Sequence, residues 1–158
     1  MADRPCVDIV VPGRETIRLK HVVLDFTGTL ARHGQLDPQI RERLRKLTTM
    51  LQVTVATADS FGTARESLAG LPLEVRVIQT GADKARIVKE LGAGNVVAIG
   101  NGCNDVAMME LAALGIAVIG AEGATGALLR VADIVVRSID DAFGLLENPL
   151  RIAATLRP

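Results

Sequence analysis

The sequence predicts an α/β domain: a doubly wound three-layer sandwich around a mostly parallel sheet, with an N-terminal β-hairpin. Short and almost continuous apolar runs, such as Val22 to Phe26 and Val96 to Ile99, lack the polar alternation of half-solvated strands. Strands of that kind are covered on both faces. Longer segments with helical spacing separate them, and such alternation closes into a parallel sheet through right-handed crossovers.

Taken in order, Val7 to Val11 and Thr16 to Leu19 flank Pro12-Gly13-Arg14-Glu15 and read as a hairpin over about 7–19. The core, about 20–137, begins with the strand Val22 to Phe26. Asp37-Pro38 supplies an N-cap and a first-turn proline. The helix behind it aligns Ile40, Leu44, Leu47 and Leu51 on one stripe and leaves Arg41, Glu42, Arg45 and Lys46 outside. A strand at Val53 to Thr57, a helix at Thr63 to Leu68 and a strand at Leu73 to Ile78 follow. Next come a helix from Lys84, after Asp83 as N-cap, to Leu91, stopped by Gly92, and a strand at Val96 to Ile99. Asp105 to Leu114 reads as a helix stopped by Gly115, and Ile116 to Ile119 as a strand. A helix at Thr125 to Val131, a strand at Ile134 to Val136 and a helical tail over about 139–156 complete a single domain spanning 1–158.

At 158 residues, 49% apolar and 23% charged, the chain has enough material for one real core and is globular rather than disordered. Its 18 basic and 18 acidic residues cancel, so charge advertises neither nucleic acid nor an anionic membrane as partner. With only His21 and His33, a histidine metal cluster is excluded, and a hard cation held by oxygens is the remaining metal option. Cys6 and Cys103 do not suggest a disulfide framework, and Met1 to Pro5 is too polar for a secretory leader. No apolar run is long enough for a membrane span. A soluble protein of the cytoplasm is expected.

Chemistry concentrates in two loops, Asp25-Phe26-Thr27-Gly28-Thr29 and Gly100-Asn101-Gly102-Cys103-Asn104-Asp105, each behind a strand. In an open α/β sheet the ligand crevice lies at the strands' carboxyl ends. Asp25, Thr57 and Asn101 all fall there. Asp25 is the candidate nucleophile, since a carboxylate attacks phosphorus once its repulsion from an anionic substrate is neutralised. Thr57 offers a hydroxyl to a phosphoryl oxygen. Lys84 sits near a helix N-terminus, where the macrodipole disfavours a cation by ~0.3–1 kcal/mol unless an anion is close. Asn101 and Asp105, with Asp25 and a backbone carbonyl near Thr27, suit an octahedral Mg²⁺ shell, while Asn104 or Asp105 also suits a helix N-cap. Gly100 and Gly102 permit the tight turn. His33 and Cys103 lack the partners that an activated histidine or cysteine needs.

These segments, in this order, resemble the haloacid-dehalogenase superfamily of aspartate-dependent phosphotransferases. Asp25 to Thr29 is similar to its first motif, Thr57 to its second, Lys84 to its third, and Gly100 to Asp105 to its fourth. The likeness, covering about residues 20–137, is greatest to the phosphorylation domain of P-type ATPases, which read Asp-Lys-Thr-Gly-Thr at the nucleophile and Thr-Gly-Asp where this chain has Thr57-Ala58-Asp59. Soluble P-type ATPase-like hydrolases are the matching stand-alone proteins. The resemblance implies a Rossmann-like core, Mg²⁺, a phosphoaspartate on Asp25, phosphate held by Thr57, Ala58, Lys84 and Gly28, and metal held by Asp25, Thr27, Asn101 and Asp105, with Asn104 in support. The segments Thr29 to Asp37 and Leu71 to Asp83 are too short for a cap domain, and capless relatives often form oligomers or act on large substrates. The sequence does not set the oligomeric state; the hairpin and the Leu145 to Leu156 tail are the candidate interfaces of a possible homo-oligomer.

Two departures from the pattern matter. Family phosphatases carry a second Asp two positions after the nucleophile as general acid and base; here it is Thr27, which cannot readily do that work, and such catalysis is worth ~10²–10⁴-fold. Relatives usually have a metal-binding Asp where this chain has Asn101. The expected activity is therefore a slow, Mg²⁺-dependent phosphohydrolase or phosphotransferase acting on a phosphorylated substrate. A regulatory or binding module with little chemistry is the alternative. A receiver-like phosphoacceptor would need an acidic pair at its first core strand, which this chain lacks, and no spanning helices exist for a pump.

Overall fold

A computed structural model describes residues 5–59 and 62–158. The polar segment 1–4 that precedes the hairpin lies outside the described residues. Strands β1 (Val7–Ile9) and β2 (Ile17–Leu19) form the expected antiparallel hairpin, with Val7 opposite Leu19. Chain order then gives β3 (His21–Leu24), the two-residue strands β4 (Ala31–Arg32) and β5 (Gln35–Leu36), α1 (Pro38–Leu47) and β6 (Gln52–Thr57). After them come α2 (Ala64–Ser67), β7 (Glu74–Val77), α3 (Gly81–Leu91) and β8 (Val96–Gly100). The remainder is α4 (Val106–Leu111), β9 (Leu114–Val118), α5 (Gly126–Val131), β10 (Ile134–Val136), α6 (Ile139–Glu147) and α7 (Pro149–Leu156).

Six strands form one sheet in the order β10-β9-β8-β3-β6-β7, every pair parallel. Alternate residues face opposite layers, as strand geometry requires. Val22 and Leu24 of β3, with Val97 and Ile99 of β8, pack on one side against Leu44, Leu47, Phe143, Leu146 and Ile152 from α1, α6 and α7. Val23 and Ala98 point the other way, onto Ile87 and Val88 of α3 and Met108 of α4. The expected α/β/α sandwich is therefore present. From β3 the chain winds outward through β6 and β7, then returns to place β8 on the other side of β3. The winding reverses between β3 and β8, and that reversal opens the crevice at their carboxyl ends.

Caps explain several boundaries. Asp37 accepts from the Gln39 amide at 2.7 Å and Pro38 starts α1, as expected. The helix carrying Lys84 starts earlier than expected. Thr80 is its N-cap, and the Asp83 carboxylate reaches back to the amides of Gln79 and Thr80 at 3.0 Å each. Asp83 thus closes a capping box rather than heading the helix, which leaves Lys84 one turn inside. The segment expected to run as a helix from Asp105 to Leu114 splits: α4 ends at Leu111, and Gly115 lies within β9 instead of stopping a helix. A Cβ on Gly115 would stand 2.4 Å from Met109 Cγ, so the glycine is there for close packing of α4 on the sheet.

No cap domain interrupts the described core. The 29–37 segment holds only the β4–β5 flap, turned through His33 (φ 49°) and Gly34 (φ 75°), the paired positive angles of a tight hairpin turn. The tail folds as two helices broken at Asn148-Pro149, and α7 packs against β1. No helix among the described residues is long and apolar enough to cross a membrane.

Candidate active site

Asp25 follows the last residue of β3, and its amide donates to the Ile99 carbonyl at 3.0 Å, which fixes it beside β8. Its side chain is 8% exposed. Lys84 Nζ donates to Asp25 Oδ1 at 2.8 Å and to Asp105 Oδ1 at 2.6 Å. Both Lys84 and Asp105 are fully buried. Asp105 Oδ2 in turn accepts from the amides of Asn101 and Gly102, each at 3.0 Å. Three residues far apart in the chain thus converge on one rim of the sheet.

One ammonium between two buried carboxylates leaves an excess negative charge. Burial first, and the neighbouring Asp105 charge second, push the Asp25 carboxyl up to about 7, against the opposing pull of Lys84. For Lys84, burial would lower the ammonium's pKa, but Asp25 and Asp105 outweigh it and raise it. A site that draws a proton onto Asp25 at neutral pH is short of positive charge. Its donors at the strand ends are carboxylate, carbonyl and amide oxygens, the set that a hard divalent cation takes. Among the described residues no group of three or more His, Cys, Asp or Glu side chains could hold a metal ion. A cation here would have to draw on backbone and amide oxygens as well as on carboxylate.

The remaining expected residues divide. Thr57 ends β6, is 1% exposed, and accepts from the Asp59 amide at 3.0 Å through Oγ1. Its hydroxyl proton is left to donate. Asp59, at φ 50°, accepts from the Ala64 amide at 3.1 Å. Ala58 is exposed at the same strand end. Thr27 is half-buried and bridges to Ala31. Gly28 takes φ 77° and gives its amide proton to the Ala31 carbonyl at 2.9 Å, so in this conformation it offers space rather than a donor to phosphate.

Asp105 has both oxygens committed, to Lys84 and to the Asn101 and Gly102 amides. In this arrangement it holds the lysine and the 100–105 turn. Gly100 is needed for this, since a Cβ there would lie 2.4 Å from the Asp105 carboxylate. Asn104 is exposed and is not the helix cap. Its backbone instead lies against Gly81, where a Cβ would meet the Asn104 carbonyl oxygen at 2.8 Å. Asn101 Oδ1 accepts from Thr29 Oγ1 at 3.3 Å, and its Nδ2 donates to the Gly123 carbonyl at 3.1 Å. Cys6 and Cys103 are both free and exposed.

Two features have no counterpart in the sequence motifs. A cavity of about 790 Å³ opens beneath the β4–β5 flap, lined among others by Arg32, His33, Arg137 and Asp140. Asp25, Lys84 and Asp105 do not line it; Gly28, Thr29 and Glu122 join it to the loop that follows Asp25. The second is Glu122 itself, whose Oε2 would stand 2.6 Å from a Cβ on Gly28. No motif flags it, because only the adjacency of β9 to β8 brings it there.

The sequence model of the haloacid dehalogenase-like hydrolase family matches residues 75–147. An uncharacterised protein of Methanocaldococcus jannaschii is 46% identical over 78 residues, which are 47% of this chain and 84% of that protein. The cobalt-bound deoxy-D-mannose-octulosonate 8-phosphate phosphatase of Haemophilus influenzae superposes with a TM-score of 0.66 at 15% identity, over 89% of this chain and 94% of that one. The catalytic domain of the CPx-ATPase CopB-B superposes at 0.60 with 29% identity, over 72% of this chain and 46% of that one.

Proposed function

This chain belongs to the haloacid dehalogenase-like hydrolases, and from that premise we propose that it hydrolyses phosphate esters or anhydrides through a phosphoaspartate on Asp25. The observation that carries the reading is the convergence of Asp25, Lys84 and Asp105 where the sheet reverses its winding. An Asp25 carboxylate oxygen attacks phosphorus, the bond from phosphorus to the leaving oxygen breaks, and the leaving group departs with a proton from solvent. Water then attacks the acyl phosphate, releasing inorganic phosphate and regenerating the carboxylate. Lys84 offsets the charge of nucleophile and phosphoryl group, Thr57 donates to a phosphoryl oxygen, and Asp105 positions Lys84. Asp25, the Thr27 carbonyl and Asn101 would hold Mg²⁺, which would supply Lewis-acid stabilisation of phosphoryl charge.

Thr27 brings no carboxyl group to the leaving oxygen, so leaving groups that need protonation go slowly. Aryl phosphates should outrun sugar phosphates. Assay of p-nitrophenyl phosphate and a hexose phosphate with Mg²⁺ tests this: the aryl ester is turned over and the sugar ester hardly at all. Equal and rapid turnover of both would refute the role given to Thr27. A second reading, a regulatory module that keeps the fold with little chemistry, draws on Asn101, whose amide is tied to the Gly123 carbonyl. Failure to trap any phosphoryl-enzyme, with any donor, would favour it. Cytoplasmic residence and self-association belong to the same proposal.

A further inference from the structure

Asn101 is tied to the loop between β9 and α5 at two points. Its carbonyl accepts from the Thr125 amide at 3.0 Å, and its side-chain Nδ2 donates to the Gly123 carbonyl at 3.1 Å. A third constraint comes from Gly120, where a Cβ would sit 3.4 Å from the Gly28 carbonyl oxygen. This loop is therefore held against the nucleophile loop and carries Glu122 with it. A Cβ placed on Gly28 would meet Glu122 Oε2 at 2.6 Å and Asn101 Nδ2 at 2.7 Å, so the carboxylate and the amide crowd one point above Gly28. Glu122 is exposed and takes part in none of the ion pairs of the described residues.

An aspartate at 101 could not donate to Gly123; it would set a carboxylate against a carbonyl oxygen. The amide adds a side-chain bond to a loop already held through the backbone, and that loop brings a carboxylate to the point above Gly28 that the amide also reaches. We propose that Glu122 supplies the second carboxylate of the divalent-cation site, restoring from the loop after β9 the charge that Asn101 lacks. With Asp25 alone the site offers one carboxylate; with Glu122 it offers two, the upper end of the one or two that a protein-bound Mg²⁺ keeping several waters takes. Gly28 fits the same arrangement, because any side chain there would push Glu122 and Asn101 apart. The inference rests on the metal-dependent reading above.

The test is Mn²⁺ binding to the full chain, followed by the loss of its free-ion electron paramagnetic signal, with no substrate present. Wild type should bind, Asp25→Asn should bind much more weakly, and Glu122→Gln should lose at least about tenfold in affinity, as removing even an indirect metal partner costs 10–100-fold. Thermal unfolding of Glu122→Gln without metal should match wild type, since the residue is exposed. Gly28→Ala, which displaces the same carboxylate, should weaken binding in parallel. Equal affinity of wild type and Glu122→Gln overturns this inference and leaves the reading of the site intact. A wild type that does not bind Mn²⁺, or an Asp25→Asn variant that binds it unchanged, overturns both.

Discussion

Replacing Lys84 by methionine probes the electrostatic arrangement with little change in side-chain volume. Lys84 is fully buried and its ammonium reaches two carboxylates, at 2.8 and 2.6 Å. Removing one partner from a buried ion pair costs about 3–5 kcal/mol, because the other charge stays desolvated and unpaired. Here two carboxylates are left, and they repel each other. The cost must depend on pH. The Asp25 carboxyl already lies at about 7 in the folded protein against an ordinary 3.8. For a carboxyl raised on folding, its stabilising contribution is complete below the unfolded value and is lost as pH rises through the folded one. Without Lys84 the Asp25 value rises further, so protons take over the ammonium's role at low pH and cannot at high pH. Urea unfolding of K84M without metal should show a loss of about 3–5 kcal/mol at pH 8 and a clearly smaller one at pH 5. Adding Asp105→Asn should recover part of the loss at pH 8. A loss below about 1 kcal/mol, the size of an exposed pair, or one that is equal at both pH values, would refute this electrostatic role for Lys84.

Three further outcomes follow from the same geometry. Thr27→Asp should speed dephosphorylation by about 10²-fold or more, the lower bound of general acid–base assistance, read as the decay of the trapped phosphoenzyme; an unchanged or slower decay would show the position misread. Added Mg²⁺ should raise the melting temperature at pH 8 more than at pH 5.5, since protons compete for Asp25 below about 7; a pH-independent shift would place the metal elsewhere. Gly100→Ala should destabilise by about 1–3 kcal/mol, as overpacking does, because its Cβ would collide with the Asp105 carboxylate at 2.4 Å; thermal unfolding measures this, and a neutral result would remove the packing reason for that glycine.

Much of the architecture is legible because parallel strands are buried on both faces, and runs such as Val22 to Phe26 announce that burial locally. The pairing of Asp25 with Lys84 and the location of Thr57 follow from where strands and helices end. Other features depend on contacts that a local pattern does not hold. Gly115 obeys the rule for a helix stop, yet its true neighbour is Met109, across the α4–sheet interface. Asp83 is as good a cap as Thr80, and the choice between them is made by a carboxylate reaching backward. The flap strands are two residues long, below the length at which alternation can be seen, and only His33-Gly34 hints at their turn. Asp105 reads equally as helix cap and metal ligand until the buried lysine is placed beside it. Glu122 has no motif at all; it depends on sheet order.

Whether Asp25 accepts phosphorus is decided by chemical trapping of the acyl phosphate. The full chain should be incubated with an aryl phosphate and Mg²⁺, quenched in acid, and digested for mass spectrometry. A hydroxylamine-labile phosphoryl group is expected on the peptide that contains Asp25, and none in Asp25→Asn. Turnover of the ester that persists in Asp25→Asn, with no label on that peptide in either protein, would contradict the assignment of Asp25 as nucleophile.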